Sequence, residues 1–283
     1  MKTIKDKEFE GERPLFGARN LRLENVTIHA GESALKCCTN IEADHCQFEG
    51  KYPFWHVEGF KIINCLFTPG ARAALWYSRN LIMKDTQVDA PKMFREMDGI
   101  ILQRVNIPDG DETLWHCDNV EIEDVQINKA DYLFMHSNNI KINRWNQHGN
   151  YSFQYCKNVE IHNAEIHSKD AFWGTENVTI YDSTLIGEYL GWHSRRLTLV
   201  RCHISGTQPL CYARDLKLID CTFDADCDLA FEDSEIEATI KSPIKSIKNP
   251  KSGRIEVPSV DELIIDEFSQ AVDPVDIITT DEK

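Results

Sequence analysis

No stretch of this chain approaches eighteen consecutive apolar residues, so no segment is built to cross a membrane as a helix. The opening MKTIKDKEFEGE carries lysines without the apolar core of an export signal, and the cytoplasm is the expected address. No CxxC pair of zinc spacing occurs among the 10 cysteines; Cys37 and Cys38 are merely adjacent. Reduced thiols are therefore expected rather than a disulfide framework. A basic stripe is missing as well. The chain has 31 Lys and Arg against 46 acids, a formal charge of −15, whereas phosphate backbones bind where cations gather. Neither nucleic acid nor membrane is an expected partner. Much of the acid excess lies in residues 255–283, where nine carboxylates face one lysine.

What the chain does have is a repeat. A left-handed-tolerant residue opens each N-V-x-I phrase: Asn20, Asn40, Gly59, Asn80, Gly99, Asn119, Asn139, Asn158, Asn177, then Arg196 and Asp215. Ten steps carry the register from Asn20 to Asp215, a mean period of 19.5 residues. Three residues after this corner stand Leu23, Ala43, Ile62, Met83, Leu102, Ile122, Ile142, Ile161, Ile180, Leu199 and Leu218, all apolar. Eight after it the column is apolar except at Gln147, and five before it Leu and Phe dominate. Polar residues alternate between these columns, the period-two signature of strands.

A leucine-rich repeat of this period needs an LxxLxLxxN phrase and a helical return, and neither is found. Three strand-like stretches per repeat suit an all-β, single-stranded parallel β-helix of about eleven to twelve coils, stacked ~4.8 Å apart. Cys46, Cys65, Cys202 and Cys221, six after the corner, and Cys38, Cys117 and Cys156, two before it, replace small apolar residues and are read as core. Residues 1–13 are assigned to an N-terminal cap, 14–268 to the β-helix with degenerate C-terminal coils, and 269–283 to an acidic mobile tail.

The stretch before each corner carries the unusual chemistry. Four residues before it lie Trp55, Trp76, Arg95, Trp115, Trp173 and Trp192; three before it lie His56, Tyr77, Glu96, His116, His136, Tyr155, His193 and Tyr212. If the Leu/Phe column points inward, the Trp column points outward. The facing of the His/Tyr/Glu column is open, inward by strict alternation and outward if the strand turns early. An outward aromatic ridge suits a carbohydrate or small planar ligand, with Trp55, Trp76, Trp115, Trp173, Trp192, Tyr77, Tyr155 and Tyr212 as the binding residues. It equally suits a structural ladder or a homo-oligomer interface. Glu96, His116 and His136, with Arg95 to neutralise an anion, are the candidate catalytic set. No third ligand joins the two histidines for a metal, and no cofactor is implied. The remaining histidines, among them His29, His148, His162, His167 and His203, are read as solvated outer residues.

The phrases GERPLFGARNLRLENVTI, GARAALWYSRN, DETLWHCDNVEIEDV, GNYSFQYCKNVEIHNAEI, SKDAFWGTENVTIYDS and GEYLGWHSRRLTLVRCHI resemble a bacterial β-helix family, domain of unknown function 3737, over residues 11–267. The resemblance implies a right-handed, pectin-lyase-like β-helix. It implies no particular catalytic residues. The wider superfamily is rich in carbohydrate lyases, hydrolases and esterases whose grooves run along the strand corresponding to the Trp ridge. This chain departs from those enzymes: it has neither the aspartate cluster of a calcium-dependent pectate lyase nor the paired acids of a polygalacturonase.

Overall fold

The computed structural model describes residues 1–271 and 275–280. Its regular elements are all strands; no helix occurs among the described residues, so none is long and apolar enough to cross a membrane. The chain divides into two units, Met1–Asn146 and Gln147–Lys283, and each is wound as a parallel β-solenoid.

In the first unit, strands Lys2–Phe9, Arg19–Ile28, Thr39–Asp44, Glu58–Ile63, Arg79–Val88, Asp98–Ile107 and Asp118–Ile127 each pair in parallel with the next. The register steps by one repeat, so Leu23 lies beside Ala43, then Ile62, Met83, Leu102 and Ile122. All six are buried. In the second unit, Lys157–His167, Glu176–Tyr181, Arg195–Val200 and Leu216–Phe223 do the same, stacking Ile161, Ile180, Leu199 and Leu218. The expected β-helix is thus the observed architecture, with one correction. The described residues make about 14 turns, not eleven to twelve.

The additional turns lie before the first and after the last corner of the repeat. Lys2–Phe9 already stacks in register on Arg19–Ile28. A register shift between Leu218 and Cys221 conceals the later turns from a fixed period, yet Glu235–Ile240, Ser252–Val257 and Asp276–Thr279 continue the ladder. The last of these strands falls inside the segment expected to be a mobile tail. Of that segment, residues 272–274 and 281–283 lie outside the described residues.

Each coil turns at residues in the left-handed region. The corner residues all occupy it, from Asn20 at φ 52° to Gly99 at 76°. Asparagine suits the site twice, tolerating the backbone and extending the ladder through its amide. Asn40 Nδ2 donates to Asn20 Oδ1 at 2.7 Å, and Asn177 Nδ2 to Asn158 Oδ1 at 2.8 Å. A second left-handed residue lies five after each corner from Asn20 to Asp215; there Arg104 grips Asp85 at 2.6 and 2.8 Å, and Arg201 grips Asp182 at 2.6 and 2.7 Å.

The third side corrects the expectation of a strand. Its segments bond to neighbouring coils, with Leu75 N–H donating to the Pro53 carbonyl and Tyr77 N–H to the Arg95 carbonyl, both at 2.9 Å. Yet Leu75 and Tyr77 have φ of 64° and 58°, and the same two positions are left-handed in coil after coil. The result is a stack of turns.

Phenylalanines fill the interior at the spacing of the coils: Phe48 and Phe67 lie 4.9 Å apart, as do Phe153 and Phe172. Each fully buried ring contributes roughly 1.5–3 kcal/mol. The column two before the corner mixes Cys with Ser because both carry a small donor. Ser78 Oγ accepts from Val57 N–H at 2.9 Å and donates to the Phe54 carbonyl at 2.7 Å; Cys117 Sγ donates to the Phe94 carbonyl at 3.1 Å. Burial pushes the Cys38 thiol up to about 11 and Cys117 up to about 12, so both stay protonated.

Candidate functional site

In the unit Met1–Asn146 the Trp column forms a stacked pile on the turn side. Trp55 and Trp76 stack at 5.2 Å and 8°. The Arg95 guanidinium lies between Trp76 and Trp115, 4.3 and 4.4 Å from their ring centres, and Lys36 covers the other face of Trp55 at 5.3 Å. Such spacing follows from the coil rise: a flat side chain in every turn must meet its counterpart face to face. The indole N–H groups are engaged too. Trp55 donates to the Ala73 carbonyl at 2.6 Å, Trp76 to the Lys92 carbonyl at 2.7 Å, and Trp115 to the Tyr132 carbonyl. All three indoles are half-buried. Trp145, outside this column, is buried in the core.

The neighbouring His/Tyr/Glu column faces outward. A left-handed residue follows the Trp-column position in each turn and swings its side chain to the same surface: His56 (φ 55°), Tyr77 (58°), Glu96 (51°), His116 (52°) and His136 (54°) are all exposed. Their rings also pile up, His56 on Tyr77 at 5.1 Å and His116 on His136 at 5.3 Å and 2°. Burial, then the His116 charge, holds His136 below the ordinary histidine range. Arg95 belongs to the indole pile and is paired with Glu112 at 3.4 Å, which also takes Lys92 at 3.0 Å. Glu96 and His116 share one face, and no hydrogen bond joins these two described residues.

The unit Gln147–Lys283 repeats the arrangement. Trp173 and Trp192 lie 5.4 Å apart at 32°, and Trp192 Nε1 donates to the Gln208 carbonyl at 2.7 Å. His193 stacks on Tyr212 at 5.0 Å. Tyr212 donates to Glu232 Oε2 at 3.2 Å, and burial with that carboxylate pushes its hydroxyl up to about 12. Tyr155 is exposed and rests over Gly174, where a Cβ would come within 2.9 Å of its ring.

The outer histidines are not merely solvated. His29 bridges two coils, Nε2 to Glu8 at 3.0 Å and Nδ1 to Glu49 at 3.1 Å. His148 stacks on His167 at 4.2 Å, His162 on Tyr181 at 4.5 Å, and His203 meets Thr222 and Asp224 at 3.0 and 3.2 Å. Each of these pairs is separated by one period, the signal from which sequence reasoning could have paired them. Among the described residues no three His, Cys, Asp or Glu side chains converge as metal ligands.

No curated relative matches the chain in sequence. Among solved structures it is similar to the A-module of mannuronan C-5 epimerase from Azotobacter vinelandii at 11% identity, covering 84% of this chain and 91% of that one, with a TM-score of 0.41. It is also similar to the plasmid-mediated fluoroquinolone resistance protein QnrB1 (12% identity, 77% and 91% covered, TM-score 0.24). A third is the catalytic domain of a GH87 alpha-1,3-glucanase (10% identity, 98% and 63% covered, TM-score 0.22). The family described as "Protein of unknown function (DUF3737)" matches residues 2–278, and the chain belongs to that family.

Proposed function

We propose that the protein is a non-enzymatic β-helix scaffold that self-associates through the outward row His56, Tyr77, Glu96, His116 and His136, with the indole pile beside it acting as a stabilising spine. The observation carrying this reading is the closure of the indole faces, by Trp on Trp at 5.2 Å and by Arg95 between Trp76 and Trp115. A sugar ring stacks on a free aromatic face, whereas both faces of Trp55 and of Trp76 are taken. Arg95 is engaged by two indoles and Glu112 instead of standing open to a substrate anion.

The row itself suits a copy of the same chain. Tyr and ring edges favour interfaces, and five coils at ~4.8 Å spacing run ~20 Å, the scale of a standard patch of roughly 800 Å² per partner.

Light scattering across a concentration series tests this. The wild type is expected to dimerise, and Tyr77→Ala with His116→Ala to give a monomer with an unchanged melting curve; a monomeric wild type refutes the reading. A second reading, sugar binding through ring edges, draws on the same exposed imidazoles and phenol. It predicts saturable heat when a neutral or uronic oligosaccharide is titrated into the protein, where the scaffold reading predicts none.

A further inference from the structure

One concavity stands outside that row. In the unit Gln147–Lys283, His193, Arg195, Tyr212, Arg214 and Asp233 line a cleft of about 280 Å³. Arg195 and Arg214 sit side by side on successive coils, joined by a parallel backbone bridge. Their charges are treated differently. Arg214 is pinned, Nη2 to Asp233 Oδ2 at 3.0 Å and Nε to Glu235 Oε1 at 3.5 Å. Arg195 is exposed, and no carboxylate of the described residues pairs with it.

The nearest candidate is Glu176, its backbone partner one coil earlier, but that carboxylate turns to Arg196 at 2.6 Å and Lys157 at 3.4 Å. Arg195 therefore lines the cleft with its guanidinium free to meet an incoming anion. Beside it, His193 is held below the ordinary histidine range by burial and then by Arg214, so the ring is neutral at neutral pH. The lining therefore sums to one positive charge, from two guanidinium groups and one carboxylate.

We infer that this cleft binds a small, singly charged carboxylate, held by the planar fork of Arg195 with Arg214 as the second cation and the His193–Tyr212 stack as its wall. A guanidinium matches a carboxylate through two parallel N–H···O bonds. The single net charge favours a monoanion over a phosphate dianion. The volume falls just below the usual range for drug-sized ligands, which suits a small molecule. The inference is independent of the scaffold reading, which rests on the other unit.

The test is a titration of the full chain with lactate, acetate and inorganic phosphate, followed through the His193 imidazole resonances. Both carboxylates are expected to shift them saturably and to raise the His193 pKa, because a bound anion favours the imidazolium. Arg195→Gln should weaken lactate binding about tenfold or more, the worth of a charged hydrogen bond. Arg196→Gln, removing a cation already paired to Glu176, should change it less than about twofold, within the range of exposed pairs. Three results would each overturn the inference. They are no saturable shift with either carboxylate up to about 50 mM, equal weakening by the two variants, or tighter binding of phosphate than of lactate.

Discussion

Arg95 shows how one side chain is fixed by period alone. It occupies a tryptophan position, so the coil rise sets its guanidinium between the indoles of Trp76 and Trp115. Replacing it with alanine removes two cation–π contacts and leaves a gap in the pile; the expected loss is about 1–2 kcal/mol by urea denaturation, with altered indole emission. Asn119 is a complementary case, at φ 57° with its amide donating to Asp98 at 2.6 Å. Asn119→Val should cost about 1–3 kcal/mol and Asn119→Gly clearly less, because only the β-branched residue resists that backbone. Equal melting temperatures for the two variants would refute the argument. These residues also mark what the sequence displays and what it hides. Asn and Gly advertise a left-handed corner, so the corners were legible. His56, Tyr77 and Glu96 have no such preference, and their left-handed backbone, which turns the whole column outward, is imposed by coil-to-coil hydrogen bonding.

At the scale of a strand, the first one differs from those it stacks on. Lys2, Ile4, Lys7 and Phe9 pair with Leu21, Leu23, Val26 and Ile28, so two lysines stand at the inward phase. A charge aimed toward the core is a known defence of an open sheet edge. Lys2→Leu with Lys7→Val completes the apolar columns and should promote end-to-end association, read as a concentration-dependent rise in mass by light scattering; an unchanged mass refutes the defensive role. The same substitution explains why this strand was hard to count from sequence, since the apolar column is what announces a coil. Buried columns such as Leu23 to Ile122 were legible because only apolar side chains fit them. The Ser/Cys column was half legible: its small size could be read, but not the bonds from Ser78 to two coils.

For the whole molecule, acid is the informative variable. His136 and His193 are both held below the ordinary histidine value of 6.5. The unfolded chain therefore takes up protons first as pH falls. Their stabilisation is complete above about 6.5 and is lost as pH drops through the folded values. His29 runs the other way. Bonds from Glu8 and Glu49 raise it, so its contribution is full below 6.5 and fades as pH climbs through its folded value. The His136→Gln, His193→Gln double variant should flatten the acid limb of stability against pH, and His29→Gln the limb above it. Urea midpoints from pH 5 to 8 check both, and unaltered limbs would count against the assignment.

A ladder of identical rungs also sets the grammar of length change. Removing one residue near Arg104 shears each column against its neighbours, turning core side chains toward water in that coil. Removing residues 99–118 takes out a full rung and rejoins Asp98 to Asn119, where Asn80 and Asn119 are interchangeable corners. Losing twenty residues should therefore be gentler than losing one.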